Sequence, residues 1–255
     1  MPYRDLREFL AALERRGDLA TVDEGVDPVL EATALARQVQ AREGPAVLLR
    51  HPVDSEVPLL LNLFGHRRRI EAVLGERPIH SLSELGELLA RLQQPRLPRG
   101  LKEAFGDWPE LGQLALVSPR RVGRAPFLAN GMEGPEVDLY TLPVQHCWPG
   151  DAGRLITLGM VITHNAGLGR CNIGIYRQQL IGRNRVVMRW LAHRGGAQDF
   201  ARWRHDHPGR PFPVAVAIGA DPATTLAAVS PVPDTLSEFQ FAGLLRARSE
   251  VIRHR

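Results

Sequence analysis

The chain has 255 residues, is 44% hydrophobic and 24% charged, and carries a formal net charge of +4. That length allows one large domain or two smaller ones around a substantial core, and the composition is that of an ordinary globular protein. No apolar run approaches the roughly 20 residues a membrane helix needs, and Met1-Pro-Tyr-Arg-Asp-Leu has no signal-peptide core, so a cytosolic location is expected.

A pI near 9.6 invites a nucleic-acid reading. All but one of the 32 basic residues are arginine, however, Lys102 being the exception, and acids are interspersed among them apart from short clusters such as Arg67-Arg68-Arg69. Together with the abundance of Ala, Leu and Gly, this reads as codon composition, and nucleic acid is not an expected partner. Cys147 and Cys171 are far apart and form no C-x-x-C pair. Two reduced, mostly buried thiols are therefore expected, without a zinc site or a disulfide framework.

In chain order, Leu6, Phe9, Leu10 and Leu13 occupy the i, i+3, i+4, i+7 face of an amphipathic helix over 4–16 that Gly17 can close. Residues 28–43 predict a second helix, with Leu30, Ala34, Leu35 and Val39 inward. Ala46–Leu49 and Leu59–Leu63 read as short buried strands. Ser81-Leu-Ser-Glu84 has capping-box spacing and opens a helix bearing Leu82, Leu85, Leu88, Leu89 and Leu92. These elements make an α/β N-terminal domain, placed at residues 1–116.

Pro95-Arg-Leu-Pro-Arg-Gly100 interrupts the pattern, and Val117–Pro135 reads as a crossing segment. Beyond it, Ile156–Thr163, Cys171–Tyr176, Val186–Trp190 and Phe212–Ile218 are strand-like, with helices near Ala197–His205 and Leu236–Leu245. Such spacing predicts an antiparallel sheet or barrel for residues 117–255. Ser249–Arg255 begins another alternation and stops. A barrel ending there would leave an unpaired edge, so the expectation is a covering chain or a fragment of a longer protein.

The chemistry is concentrated in Asn172-Ile-Gly-Ile-Tyr-Arg-Gln-Gln-Leu-Ile-Gly-Arg183 and Met188-Arg-Trp-Leu-Ala-His-Arg-Gly-Gly196. Arg177, Arg183, Arg189 and Arg194 can each present a fork to phosphate or carboxylate. Gly195-Gly196 lets backbone N–H groups approach an anion without an intervening side chain. Asn172 and His193, on neighbouring strand-like runs, and Glu238, near a helix start, form a donor set suited to Mn²⁺ or Mg²⁺.

Each of these residues also has a plainer reading. Asn172 can belong to a turn, His193 can be an ordinary satisfied side chain, and Glu238 can favour the first turn of its helix. Arg183 and Arg185 fit a surface hairpin turn. Arg177 ends an apolar strand, where it can face a pocket. Trp190 can stack on a planar ring or fill the core. His146 and Cys147 lack a third group for a thiol nucleophile, and packing is expected there. Asp221, followed by Pro222, can cap a helix or leave N–H groups facing an anion, with capping favoured.

These blocks, with Ala220-Asp-Pro-Ala-Thr224, Pro233-Asp-Thr-Leu-Ser-Glu238, Asn62-Leu-Phe-Gly65, Cys147-Trp-Pro149 and the opening Tyr3-Arg-Asp-Leu-Arg-Glu-Phe-Leu10, resemble the UbiD family of decarboxylases along the whole chain. The likeness is strongest to members acting on 4-hydroxy-3-polyprenylbenzoate in ubiquinone biosynthesis. It implies an α/β N-terminal domain followed by a split β-barrel of flavin-binding type. It also implies a prenylated FMN supplied by a separate flavin prenyltransferase, with Mn²⁺ bridging the cofactor phosphate to the protein and a monovalent cation such as K⁺ as a further candidate. Residue by residue, the metal positions are Asn172, His193 and Glu238. The cofactor positions are Ile175, Tyr176, Arg177, Arg189, Trp190, Leu191, Arg194 and Gly195, and Arg177 is also catalytic.

The family's later acidic segment, which reads Glu-Gly-Pro, an aromatic, Gly, then an acid, does not occur in this sequence, and neither does its C-terminal oligomerisation region. The resemblance therefore implies a cofactor cradle without the proton-donating acid, in a chain expected to be inactive alone. A polyprenyl substrate implies work near the inner face of the membrane, and full-length members form homo-oligomers. Two alternatives stay open. One is a short non-catalytic cofactor-binding relative; the other is a UbiD-type decarboxylase of another aromatic acid.

Overall fold

The computed structural model describes residues 3–74, 81–93, 120–121, 129–165, 169–233, 236–246 and 251–252. Helix α1 spans Leu6–Arg15, capped by the Asp5 carboxylate accepting from the Glu8 N–H, and Gly17 ends it at φ 72°. Strand β1 (Leu19–Val22), absent from the sequence reading, pairs in parallel with β2 (Ala46–Leu49), and β2 pairs antiparallel with β3 (Leu59–Leu61). The sheet explains its own apolar runs. Val47, Leu49, Leu59 and Leu61 enter one cluster while Ala46 and Leu60 enter the other, so both faces are covered.

Helix α2 (Glu31–Ala41) covers the first face through Ala32, Leu35, Ala36 and Val39. It starts later than the sequence predicts. Leu30 takes φ 67° and is 38% exposed, and Ala34 is exposed as well, so the inward stripe is rotated from the expected one. The Leu30 N–H donates to the His146 carbonyl, which anchors the chain ahead of the helix.

On the other face lie α1, α3 (Arg67–Leu74) and α4 (Leu82–Gln93). Ser81 caps α4, its hydroxyl accepting from the Glu84 N–H at 3.2 Å. Helix α3 hides behind a run of three arginines that looked like surface charge. Arg69 is fully buried and donates to the carbonyls of Gly44, Asn62 and Leu63. Its guanidinium ties the turn after β3 to the segment that leads into β2.

The predicted strand over 156–163 is two strands. Strand β5 (Leu155–Ile156) pairs with β8 (Gln178–Gly182), and β6 (Met160–Asn165) pairs with β7 (Arg170–Ile175). With β9 (Arg185–Met188) and β10 (Ala215–Ala217) they form two three-stranded antiparallel sheets, ordered β5-β8-β9 and β10-β6-β7. The chain passes between the sheets twice, around Gly159 and across Tyr176-Arg177. The corners meet at the buried Gln178, near which a Cβ on Gly159 would have no room. Among the described residues the sheets do not close into a barrel.

Helices α5 (Gly195–Asp206), α6 (Pro222–Val229) and α7 (Glu238–Arg246) complete this half. Asp221 caps α6 through the N–H groups of Ala223 and Thr224 and pairs with the buried Arg246, tying α6 to α7. Phe241, Leu244 and Leu245 of α7 share one apolar cluster with Phe9, Leu13, Val73 and Leu74. The two halves of the chain are therefore welded through a common core. Val251–Ile252 form β11, paired in parallel with Arg120–Arg121 (β4), so these two residues are not the unpaired edge expected. The Pro95–Gly100 break, most of the crossing segment and residues 253–255 lie outside the described residues.

Candidate functional site

The site is built on β6 and β7, which pair antiparallel with Thr163 opposite Asn172. Opposed residues on an antiparallel ladder share a face, and α5 lies across that face. Residues 195, 196 and 199 recur at i, i+1 and i+4, one helical stripe. Gly195 touches Asn172 so closely that a Cβ on residue 195 would fall 2.8 Å from the Asn172 Cγ. A Cβ on Gly196 would fall 3.3 Å from the Trp190 ring. Asp199, buried one turn on, accepts from the Thr163 hydroxyl at 2.6 Å.

Strand β7 is an edge of its sheet, and the turn into α7 covers it. The Ile173 N–H donates to Glu238 Oε2 at 3.2 Å, and the Ser237 hydroxyl donates to the Cys171 carbonyl at 3.3 Å. Ser237 also accepts from the Phe239 N–H while its own N–H donates to Gln240 Oε1, a reciprocal cap readable in Ser-Glu-Phe-Gln but missed. Glu238 is thus held beside Asn172, one residue along the strand.

Tyr176 follows β7 and folds back over Gly174, where a Cβ would lie 2.6 Å from its ring. Burial raises the phenol pKa. The Gly196 N–H bonded to the phenol oxygen and the Arg194 charge lower it, and Glu238 and Asp199 raise it further. Those partners place the hydroxyl at the start of α5. Trp190 lies in coil beyond β9, not in a strand as expected. It meets Tyr176 edge-on at 6.1 Å and joins Phe200 and Phe212 in an aromatic cluster, and its buried indole N–H has no acceptor among the described residues. Packing against Gly196 is its observed role.

The other expected site residues lie at the rim. Ile175 packs half-buried near Met160 and Phe239. Arg177 occupies the exposed corner between β7 and β8, and Arg189, Leu191 and Arg194 are exposed around the approach to α5. His193 sits in that exposed turn rather than on a strand, its carbonyl accepting from Gln198 Nε2 at 3.3 Å. Asn172, Glu238, Tyr176 and Gly195 are therefore brought together, with His193 two residues from Gly195 at the edge. No cluster of three His, Cys, Asp or Glu side chains occurs among the described residues, so any cation here depends on the Asn172 amide as well.

The plainer readings hold elsewhere. Arg183 pairs with Asp138 at 3.0 Å in the β8–β9 turn. His146 serves through its backbone, bridging to Val29. Cys147 and Cys171 are only half-buried, less hidden than predicted, and Cys171 Sγ lies 3.7 Å from His164 Nδ1. No helix among the described residues is long and apolar enough to cross a membrane.

The N-cap residue of α5, Arg194, makes no side-chain cap, and the Gly196 N–H goes to the Tyr176 phenol oxygen. The other N–H groups of a helix's first turn can face an anion, here beside an amide and a carboxylate able to take a divalent cation. Residues 120–254 match the 3-octaprenyl-4-hydroxybenzoate carboxy-lyase Rift-related domain, and residues 10–89 match the N-terminal domain of the same carboxy-lyase.

Solved structures similar over 99% of the chain include the UbiD-class enzyme HmfF from Pelotomaculum thermopropionicum in complex with FMN, at 26% identity and TM-score 0.79. An evolved dimeric form of that enzyme in complex with prFMN has 27% identity and TM-score 0.77 over the same share. The open form of vanillic acid decarboxylase from Sedimentibacter hydroxybenzoicus is similar over 100% of the chain, at 26% identity and TM-score 0.78. The chain spans about half the length of these proteins, 51%, 53% and 50% respectively. On the match over residues 120–254, the chain belongs to the UbiD family.

Proposed function

We propose that this chain forms the cofactor-binding part of a prenylated-FMN-dependent, non-oxidative carboxy-lyase acting on an aromatic acid, with 4-hydroxy-3-polyprenylbenzoate of ubiquinone biosynthesis as the leading substrate. The observation that carries the reading is the convergence of Gly195, Asn172 and Glu238 at the start of α5. The cradle fits the group. Residue 195 has no room for a side chain, the donors are hard, and the buried Trp190 indole N–H has no partner among the described residues. The two antiparallel sheets are read as part of a flavin-binding split barrel.

Loss of CO₂ from an aromatic ring leaves electron density that no ordinary side chain stabilises, and the modified flavin supplies the electron sink when bound. The chain's own residues then bind and orient. Asn172, His193 and Glu238 would hold Mn²⁺, with K⁺ as a second cation, and the metal would supply positive charge to an anionic cofactor. Arg189, Arg194 and the N–H groups of α5 offset phosphate charge. Ile175, Tyr176, Trp190 and Leu191 bound the ring site, and Arg177 at the corner forks onto the substrate carboxylate. Its role is to bind the carboxylate, since an arginine side chain is not a general acid for the ring.

The cofactor comes from a flavin prenyltransferase, the assembly is a homo-oligomer, and a polyprenyl tail brings the protein to the membrane surface. A phenolic acid without the tail is the second reading, supported by the likeness to a vanillic acid decarboxylase. FMN fluorescence titration with and without Mn²⁺ tests the proposal. Metal-dependent quenching is expected for the wild type and absent from the Asn172→Ala/Glu238→Ala variant. Equal binding by both proteins would overturn metal-bridged phosphate capture.

A further inference from the structure

The buried polar contacts behind Asn172 form a directional chain. Asp199 and Thr163 are 6% and 1% exposed, deep enough that their hydrogen bonds compete little with water. The Thr163 hydroxyl donates to Asp199 Oδ2 at 2.6 Å, and the Asn172 Nδ2 donates to Thr163 Oγ1 at 3.4 Å. A hydroxyl has one proton and two lone pairs, whereas an ionised carboxylate only accepts. Once that proton is given to Asp199, Thr163 can only accept. The group facing it from Asn172 must therefore be the NH₂ end of the carboxamide.

We infer that Asp199 and Thr163 are positioning residues that fix the orientation of the Asn172 carboxamide, leaving Oδ1 as the end presented to a cation at the start of α5. The inference rests on the reading of Asn172 as a metal-facing residue and adds the device that selects its oxygen. A carboxamide has two ends of nearly equal size and opposite polarity. Without a fixed partner, a half-buried Asn could present NH₂ to the site and repel a cation. The backbone supports the same geometry, since Thr163 and Asn172 are cross-strand partners and Asp199 reaches Thr163 from the helix stripe that also carries Gly195. Outer partners of this kind orient a metal ligand without touching the metal.

The test compares the wild-type chain with Thr163→Val, which keeps the shape and removes the hydroxyl, and Thr163→Ser, which keeps the hydroxyl. Two readouts are used: Mn²⁺ affinity from the free-ion EPR signal, and hydrogen exchange of the Asn172 side-chain NH₂ by ¹⁵N NMR, its resonance identified by loss in Asn172→Ala. Thr163→Val is expected to weaken Mn²⁺ binding roughly tenfold or more and to speed NH₂ exchange, with Thr163→Ser close to wild type in both. Asp199→Asn, which frees the hydroxyl proton to turn, is expected to speed NH₂ exchange as well. Unchanged NH₂ exchange in Thr163→Val would overturn the inference, as would unchanged Mn²⁺ affinity in that variant when the wild type binds. A wild type that does not bind Mn²⁺ would instead overturn the metal reading and the cation-facing part of this inference, while the NMR arm still decides whether the relay orients Asn172.

Discussion

Gly195 and Asn172 touch across the junction of α5 and β7, leaving no room between them for even one methyl group. A Cβ on residue 195 would stand 2.8 Å from the Asn172 Cγ, inside any real carbon–carbon contact. Gly195→Ala must move either the carboxamide or the first turn of α5. The expected cost is about 1–3 kcal/mol of stability, together with loss of metal-dependent flavin binding. Gly86 is the control. It lies within α4, a Cβ there meets nothing within 4 Å, and Gly86→Ala should raise stability by about 0.5–1 kcal/mol. Urea unfolding of both variants measures the contrast.

That contact marks the limit of what the sequence made legible. Periodicity located α1, α4 and α5, the Asp221 cap and the paired runs at 46–49 and 59–61, because local signals determine those features. It missed β1 and α3. Leu19–Val22 is too short to show a period, and Arg67-Arg68-Arg69 reads as solvated charge until the carbonyls of Gly44, Asn62 and Leu63 are seen around Arg69. At the site, the residue inventory around Asn172 and Gly195-Gly196 was visible in one dimension. The Thr163–Asp199 relay was not, since it joins a strand to a helix 36 residues later through packing alone.

Arg69 gives a second prediction. Its fully buried guanidinium serves three backbone carbonyls, and burial lowers its pKa below the usual arginine value. Arg69→Met would keep much of the volume and take the guanidinium from the Leu63 carbonyl, while the Asn62 carbonyl keeps the Gly65 N–H and the Gly44 carbonyl keeps Asn62 Nδ2. An unsatisfied buried group costs about 1–3 kcal/mol, and the unfolding free energy should fall by about that much. Substituting the exposed neighbour, Arg67→Met, should change stability by less than about 0.5 kcal/mol. Chemical denaturation separates the two outcomes.

Tyr176 should be legible in alkaline titration. Burial raises its phenol pKa above the ordinary tyrosine value. The folded state therefore holds this proton more tightly than the unfolded chain does. The resulting stability is fully present below the unfolded pKa of about 10 and is lost as pH rises through the folded value. Of three tyrosines, one should ionise late by absorbance at 295 nm. Tyr176→Phe should abolish that late step and flatten the alkaline decline in melting temperature. A late step that survives in Tyr176→Phe would assign it to Tyr3 or Tyr140.

Arg177 separates binding from folding. It occupies the exposed corner where the chain leaves β7 for β8, and neither sheet needs its side chain for pairing. Arg177→Ala should therefore leave the unfolding midpoint within about 0.5 kcal/mol of wild type. If the guanidinium receives the substrate carboxylate, the same change should weaken 4-hydroxybenzoate binding to the chain loaded with FMN and Mn²⁺, read by calorimetry, by about tenfold. That corresponds to about 1.4 kcal/mol, within the range of a charge-assisted pair. Arg177→Lys should recover only part of the loss, because an ammonium cannot make the parallel two-point contact of the guanidinium fork. Full recovery with Lys would mean that charge alone is used at the corner. Unchanged affinity in Arg177→Ala would place the carboxylate elsewhere, with the exposed Arg189 and Arg194 the next residues to vary.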